Sequence, residues 1–321
     1  MNYMEMRRRL LNLFLGEKMF IFLPNDKFVT KITKSRSFTY MILKDGDVFF
    51  IVHEAQDDSS LENEKYIVTM DPDSELIKFT KNEKIFSMHE KLNGIKTDFL
   101  DPSPAFKKPF DDEIPIIREG IKKMVESFND SISNISIGEK ENEIRAEIDY
   151  RLLKKGFDDF IFPTVVSAGP RTSVPLGRTG DKVVEKGDVI LVDMGALYKG
   201  YEISISRVIF TDFNDDLKDL WNFYNGVFEF SSRHFFQGKS CNEIDMVSRE
   251  YLGKRNFSYP HYTGYPAGGF SSPYIYPGSN DKLERNSIFI FSPGIYIKGK
   301  YGFRVKRTVL IKDHGFEAID E

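Results

Sequence analysis

The run over residues 189–210, VILVDMGALYKGYEISISRVIF, constrains the fold more than any other stretch of the chain. Residues 189–192 are a continuous β-branched and aliphatic run, and residues 202–206 alternate with period two. Together they read as two strands around a tight turn. Gly200 supplies a residue that accepts positive φ near that turn. With Tyr198 and Lys199 at the tip, Asp193 falls opposite Ser204, their Cβ atoms roughly 5 Å apart. Face parity favours this pairing over a one-residue slip, because Ile203 and Ile205 belong to the other face. One hairpin thus aims an aspartate and a serine at the same point in space.

A chain of 321 residues suits one large or two medium domains and can bury a substantial core. With 40% hydrophobic and 29% charged residues it has the composition of an ordinary soluble globular protein. A net charge of −4 argues against an electrostatic nucleic-acid binder. The single cysteine, Cys241, excludes an intramolecular disulfide and every Cys-clustered zinc site, and a cytoplasmic location is expected. No apolar run approaches the roughly 18 residues that cross a bilayer, so no membrane partner is expected. The basic residues 7–9 precede only six largely apolar residues, 10–15, read here as a first amphipathic helix rather than a secretory leader.

Strands are expected at residues 20–23, 38–43, 48–52 and 66–70, the middle two joined at Asp45-Gly46, with a turn at 71–73. His53 and His89 stand alone and carry no constellation. Three prolines within residues 101–109 mark a boundary, dividing the chain into domains 1–108 and 109–321. Asp111-Asp112-Glu113 opens a helix running past Ile121, and residues 141–155 form another, with Ile144, Ile148 and Leu152 on one face. Residues 162–169 read as a strand. Leu217, Leu220, Trp221, Tyr224, Val227 and Phe228 recur at helical spacing, which favours core packing of Trp221 over cofactor stacking. Residues 240–243 form a capping box for a helix ending near Leu252. Cys241 at that N-terminus stands where a thiol pKa is lowered, a buried and inert cysteine being the alternative.

The central hairpin also resembles the pita-bread metallopeptidases (prolidase, aminopeptidase P, methionine aminopeptidase, creatinase), whose pattern is roughly (I/V)D(F/M)GA…Y…GY…SDITR. Three further segments carry the resemblance. PHYTGYPAGG at 260–269 is similar to HGTGHGVG, FSPGIYI at 291–297 to (I/V)EPGIY, and GFRVKRTVLI at 302–311 to G(V/I)R(I/V)ED. The resemblance covers about residues 110–321 and is architectural before that. It implies an α+β chain, a C-terminal pita-bread domain preceded by a smaller N-terminal α/β creatinase-like domain, and a homodimer.

The same resemblance implies a dinuclear metal centre whose five ligand positions fall on Asp193, Ser204, Tyr265, Ser292 and Lys306. Only Asp193 keeps the family's ligand. The substrate-binding histidine position falls on Leu176, and Ser271-Ser272-Pro273 stands where the family has HE…P. Serine is a poor ligand beside carboxylate and imidazole, and the lysine ammonium repels a cation. The expectation is therefore a pseudo-peptidase with no catalytic residues, no metal and no cofactor, holding a peptide or small anionic ligand in a binding or regulatory role. His261, Arg304, Tyr296 and Arg207 are the candidate ligand-binding residues, with packing inside the scaffold as the alternative for each. A structural or interaction homodimer and an Xaa-Pro metallopeptidase with an unusual site stay open beside it. Lys306 is expected to pair with Asp193, and Arg304, two residues earlier on a strand, points to the same face.

Overall fold

The computed structural model describes residues 19–23, 26, 39–44, 47–56, 65–81, 83–92, 94–133 and 135–320. The chain forms two compact units, Met1–Phe106 and Lys107–Glu321. In the first, six strands make one sheet in the order Lys65–Thr69, Asp47–His53, Thr39–Lys44, Met19–Phe22, Phe86–Ser87, Asp98–Phe99. Lys44 pairs with Asp47, closing the expected hairpin. Its tip, Asp45-Gly46, and the helix expected over residues 10–15 lie outside the described residues. Where the sequence suggested a turn at 71–73, a helix begins instead, Pro72–Phe79. Asp71 accepts the backbone N–H of Ser74 at 3.0 Å, and Pro72 occupies a first-turn position that needs no donor. The same Asp-Pro chemistry serves turns and helix starts. Here Leu76 decides between them by packing against Met19, Ile21, Ile42 and Ile51.

The second unit is built around the hairpin of Val189–Tyr198 and Tyr201–Phe210. Lys199 and Gly200 have φ of 49° and 81°. Two consecutive positive-φ residues form the tight turn that matches strand twist. The tip is therefore one residue later than the sequence reading placed it, and every cross-strand partner moves by two. Asp193 pairs with Ser206, and Gly195 with Ser204. The expected opposition of Asp193 and Ser204 is corrected, but a two-residue shift leaves each side chain on its face. Val165–Ala168 adds to the free edge of the first strand, with Val165 beside Asp193.

A second sheet runs in the order Gly264–Pro266, Ile288–Phe291, Arg307–Ile311, Phe316–Ala318, and a separate two-stranded ribbon joins Gly294–Ile297 to Tyr301–Arg304. Helices Ile114–Ile132, Glu141–Lys154, Asp215–Ser232 and Cys241–Gly253 surround them. Leu217, Tyr224 and Val227 join a core with Phe289, Phe291 and Phe303. Trp221 packs edge-on to Phe210 and Phe303, with centroids at 5.2 and 5.7 Å. Ser240 is an N-cap, yet its side chain makes no cap bond. Its backbone bridges to Lys282 and Glu243 pairs with Lys239, so the expected capping box is not formed. Cys241 is buried, and burial, aided by Asp281, pushes its thiol up to about 12, overriding the helix N-terminus. No described helix is long and apolar enough to cross a membrane.

Candidate functional site

Two hydrogen bonds draw residues 304–306 onto the hairpin. Ser206 Oγ donates to the Arg304 carbonyl at 2.8 Å, and the Lys306 N–H donates to the Ser206 carbonyl at 3.3 Å. Three charged side chains then meet. Lys306 Nζ donates to Asp193 Oδ1 at 2.5 Å and to Ser204 Oγ at 2.7 Å. Arg304 Nη2 donates to Asp193 Oδ2 at 2.5 Å, and Nη1 to the Pro175 carbonyl at 2.9 Å. The side chains of Arg304, Asp193 and Lys306 are 9%, 9% and 5% exposed. Burial is the largest influence and disfavours both cations, but the Asp193 carboxylate and the neighbouring tyrosine hydroxyls together hold Arg304 and Lys306 above their ordinary values. The pair expected between Lys306 and Asp193 is present, and Arg304 makes it a triad.

Gly302 is what lets this geometry close. A Cβ there would lie 2.3 Å from the Thr172 carbonyl oxygen, so only glycine allows the 169–177 loop to lie against the strand. The Gly302 N–H donates to Thr172 Oγ1 at 2.8 Å, and the same loop brings Pro175 to Arg304.

The triad lines a cavity of about 980 Å³. Phe162, Val165, Leu176, Tyr262 and Tyr265 supply apolar wall. The Lys306 ammonium lies 4.8 Å from the Phe162 ring centre and 5.8 Å from that of Tyr265. Tyr262 stacks on Tyr276 at 5.0 Å, extending an aromatic shelf from the wall. Leu176 is 81% exposed.

Of the residues singled out from sequence, Asp193, Tyr265, Ser292, His261, Arg304 and Lys306 line this cavity. Ser204 is buried and accepts from Lys306. Tyr296 does not line the cavity, but its hydroxyl lies 2.8 Å from His261 Nε2 and interacts with Arg304. Burial, with a smaller push from Arg304 and Arg249, lowers the His261 imidazole to about 4. Burial also pushes the Tyr296 phenol up to about 12. Arg207 does not belong to the site, and its candidacy is corrected. It alternates to the face opposite Ser206 and donates to Asp320 Oδ2 at 2.9 Å and to the Lys306 carbonyl at 2.9 Å.

Sequence reasoning missed Arg145, Arg178 and Phe162, all of which line the cavity. Arg178 sits between Gly177 and Gly180 without any signal separating it from a surface charge. It also missed Arg249, which salt-bridges Asp245 at 2.8 Å and donates to the carbonyls of Tyr259 and His261 at 2.8 and 2.9 Å. The i,i+4 spacing of that pair was visible. Its target, the backbone that presents His261, was not.

These residues do not fit a divalent-metal centre. Both Asp193 oxygens are engaged by cations, and Ser204 accepts from an ammonium. Among the described residues, no three or more His, Cys, Asp or Glu side chains come together as a metal-holding group. A divalent ion placed beside Asp193 would have to displace two fixed positive charges.

A sequence model of metallopeptidase family M24 matches residues 116–313. The Xaa-Pro dipeptidase of Pyrococcus furiosus is 24% identical over 319 residues, covering 93% of this chain and 92% of that protein. The Bacillus subtilis (strain 168) protein named "Uncharacterized peptidase YqhT" is 28% identical over 213 residues, with 65% of this chain matching 60% of that one. The chain thus matches about three fifths of that relative's length and nearly all of the dipeptidase. Among solved structures, the X-Pro aminopeptidase of Thermotoga maritima MSB8 aligns with a TM-score of 0.86 at 22% identity, covering 98% of this chain and 97% of that one. The prolidase of Pyrococcus furiosus aligns with 0.86 at 20% identity over 98% of each chain. These structures share the pita-bread fold expected from the motifs.

Proposed function

The chain belongs to metallopeptidase family M24, and from that premise we propose that it is a binding relative of the family's Xaa-Pro peptidases, holding an anionic ligand or peptide in its cavity without cleaving it. One observation carries this reading. The Asp193 carboxylate is neutralised on both oxygens by Arg304 and Lys306, so the position that the family resemblance assigns to a metal ligand serves a buried ion cluster instead. Hydrolysis of a peptide bond needs an activated nucleophile. Ser292, the serine among the hydroxyl residues on the cavity wall, has no general base hydrogen-bonded to it among the described residues, and His261 is engaged by Tyr296. The cavity remains, with more positive than negative charge on its lining.

The test is elemental analysis of the purified protein combined with Xaa-Pro dipeptide hydrolysis in added Mn, Co or Zn. The reading expects substoichiometric metal and no metal-dependent turnover. Two metals per chain with turnover would instead support an Xaa-Pro metallopeptidase with an unusual site. As a companion arm, Ser204→Asp, Tyr265→His, Ser292→Glu and Lys306→Glu together should create divalent-metal affinity in calorimetry. A folded quadruple variant without that affinity would show that the assigned ligand positions are wrong.

A further inference from the structure

We propose that the cavity is selective for a carboxylate with an apolar body and no ammonium group, such as an N-acylated amino acid or an aryl- or alkyl-carboxylic acid, with its head group at Arg304. This rests on the anion-binding reading above and narrows it to a ligand class.

The first argument is the charge of the lining. Asp193 is the sole acidic residue among the cavity's described lining residues, and Arg304 and Lys306 occupy both its oxygens. A ligand ammonium therefore meets no free carboxylate. It meets cations instead. Arg145 is matched by Asp149 at 3.2 Å, but Arg178 makes no ion pair among the described residues, and Arg304 and Lys306 share one carboxylate. A free dipeptide or amino acid, zwitterionic at neutral pH, brings a positive group into a field of the same sign.

The second argument is an unmet donor. Arg304 Nε is buried and makes no hydrogen bond, although Nη1 and Nη2 are both committed. A guanidinium N–H left without an acceptor is costly in a low-dielectric setting. A ligand carboxylate beside Arg304 offsets the excess positive charge, and a turn of the guanidinium towards it brings the buried Nε an acceptor.

The third argument is the wall. Phe162, Val165, Leu176, Tyr262 and Tyr265 offer aliphatic and aromatic surface, and Leu176 exposes most of its side chain. A cavity of about 980 Å³ is far larger than an inorganic anion requires and lies near the top of the range for drug-sized ligands. The apolar body covers the wall while the head group sits at the charged end.

Titration calorimetry on the full chain tests this with four probes: N-acetyl-phenylalanine, its primary amide, free phenylalanine and inorganic phosphate. The acid should bind at least tenfold tighter than each of the other three. Arg304→Lys, which keeps the charge but lacks Nε, should weaken the acid about tenfold and leave the amide unchanged. Arg178→Gln, at an exposed position, should weaken it a few-fold and serves if the Arg304 variant does not fold. Arg255→Gln, at an exposed pair outside the cavity, should change nothing. Equal binding of acid and free phenylalanine, or tighter binding of phosphate, would overturn the selectivity and leave the anion-binding reading standing. Absence of binding by all four probes and by Xaa-Pro dipeptides at millimolar concentration would overturn both.

Discussion

Asp193 and Asp320 are both buried carboxylates held by arginine, and both connect the hairpin to the segment after residue 304. They differ in where the donors of their cations go and in what lies beside them. Asp320 faces Arg207 at 2.9 Å, and its other oxygen accepts the Thr308 N–H at 3.0 Å. Arg207 spends further donors on the carbonyls of Ser206, Lys306 and Asp320. Burial pushes the Asp320 carboxyl up, but Arg207 and Arg307 pull against it, and the pair stands away from the cavity. Asp193 instead serves two cations, leaves an N–H of Arg304 without an acceptor, and opens on a cavity. A cluster away from the cavity whose arginine spends its donors on backbone carbonyls is a fastening. One that leaves a buried donor unmet beside a cavity is the stronger candidate for a site.

The comparison is broken most severely by Asp193→Leu, which leaves Arg304 and Lys306 facing each other without their anion. Removing one partner of a buried pair typically costs about 3–5 kcal/mol, and the loss here should reach the top of that range in urea unfolding. Because the cluster has three members, pairing Asp193→Leu with Lys306→Met should recover only part of the loss. Adding Arg304→Met should recover most of it. A triple variant no more stable than Asp193→Leu would show that packing rather than charge governs this centre.

Asp320→Asn should cost less, about 2 kcal/mol, because the amide oxygen still accepts the Thr308 N–H while Arg207 retains its carbonyl partners. Ligand affinity by calorimetry should be unaltered. A changed affinity would mean that the fastening and the site are coupled.

A smaller effect comes from His261. Its folded pKa, about 4, lies below the ordinary 6.5, so the unfolded chain takes up the proton first. Wild-type stability should therefore fall as pH drops from about 6.5 towards 4, in excess of the fall seen for His261→Gln. The groups acting on this imidazole are Arg304 and Arg249, which oppose its protonation, and Asp193, which favours it. Parallel unfolding curves for the two proteins at pH 7 and pH 4.5 would remove His261 from the acid response.

The smallest effect belongs to a surface pair. Arg255 and Asp219 are 42% and 67% exposed, and Arg255→Gln should leave the urea-unfolding midpoint within experimental error, with any residual effect lost in high salt. A larger effect would mean that burial is not what separates the Asp193 centre from ordinary ion pairs.

Much of the site was legible in the residues themselves. Alternation in 202–206 assigned Ser204 and Ser206 to one face, and two-residue spacing put Arg304 and Lys306 on another. The motif frames of the family resemblance brought Lys306 to Asp193. The turn was misjudged because Tyr198-Lys199 and Lys199-Gly200 both contain a plausible tip, and only the observed positive φ at both Lys199 and Gly200 separates them. Arg207 was misjudged because a family arginine signals retention without saying whether it faces a cavity or a buried aspartate.

The sequence by itself determined the strand faces and the apolar stripes of the helices, since each depends on periodicity or on short spacings within a segment. The convergence of Asp193 with Lys306, 113 residues apart, followed only from the family resemblance. Only the tertiary structure decided the hairpin register, the capture of Arg304 by a carbonyl 129 residues away and the anchoring of the His261 backbone by Arg249. Those outcomes depend on how far long side chains reach between segments and on which donors remain once the nearer acceptors are taken. Local pattern carries neither quantity.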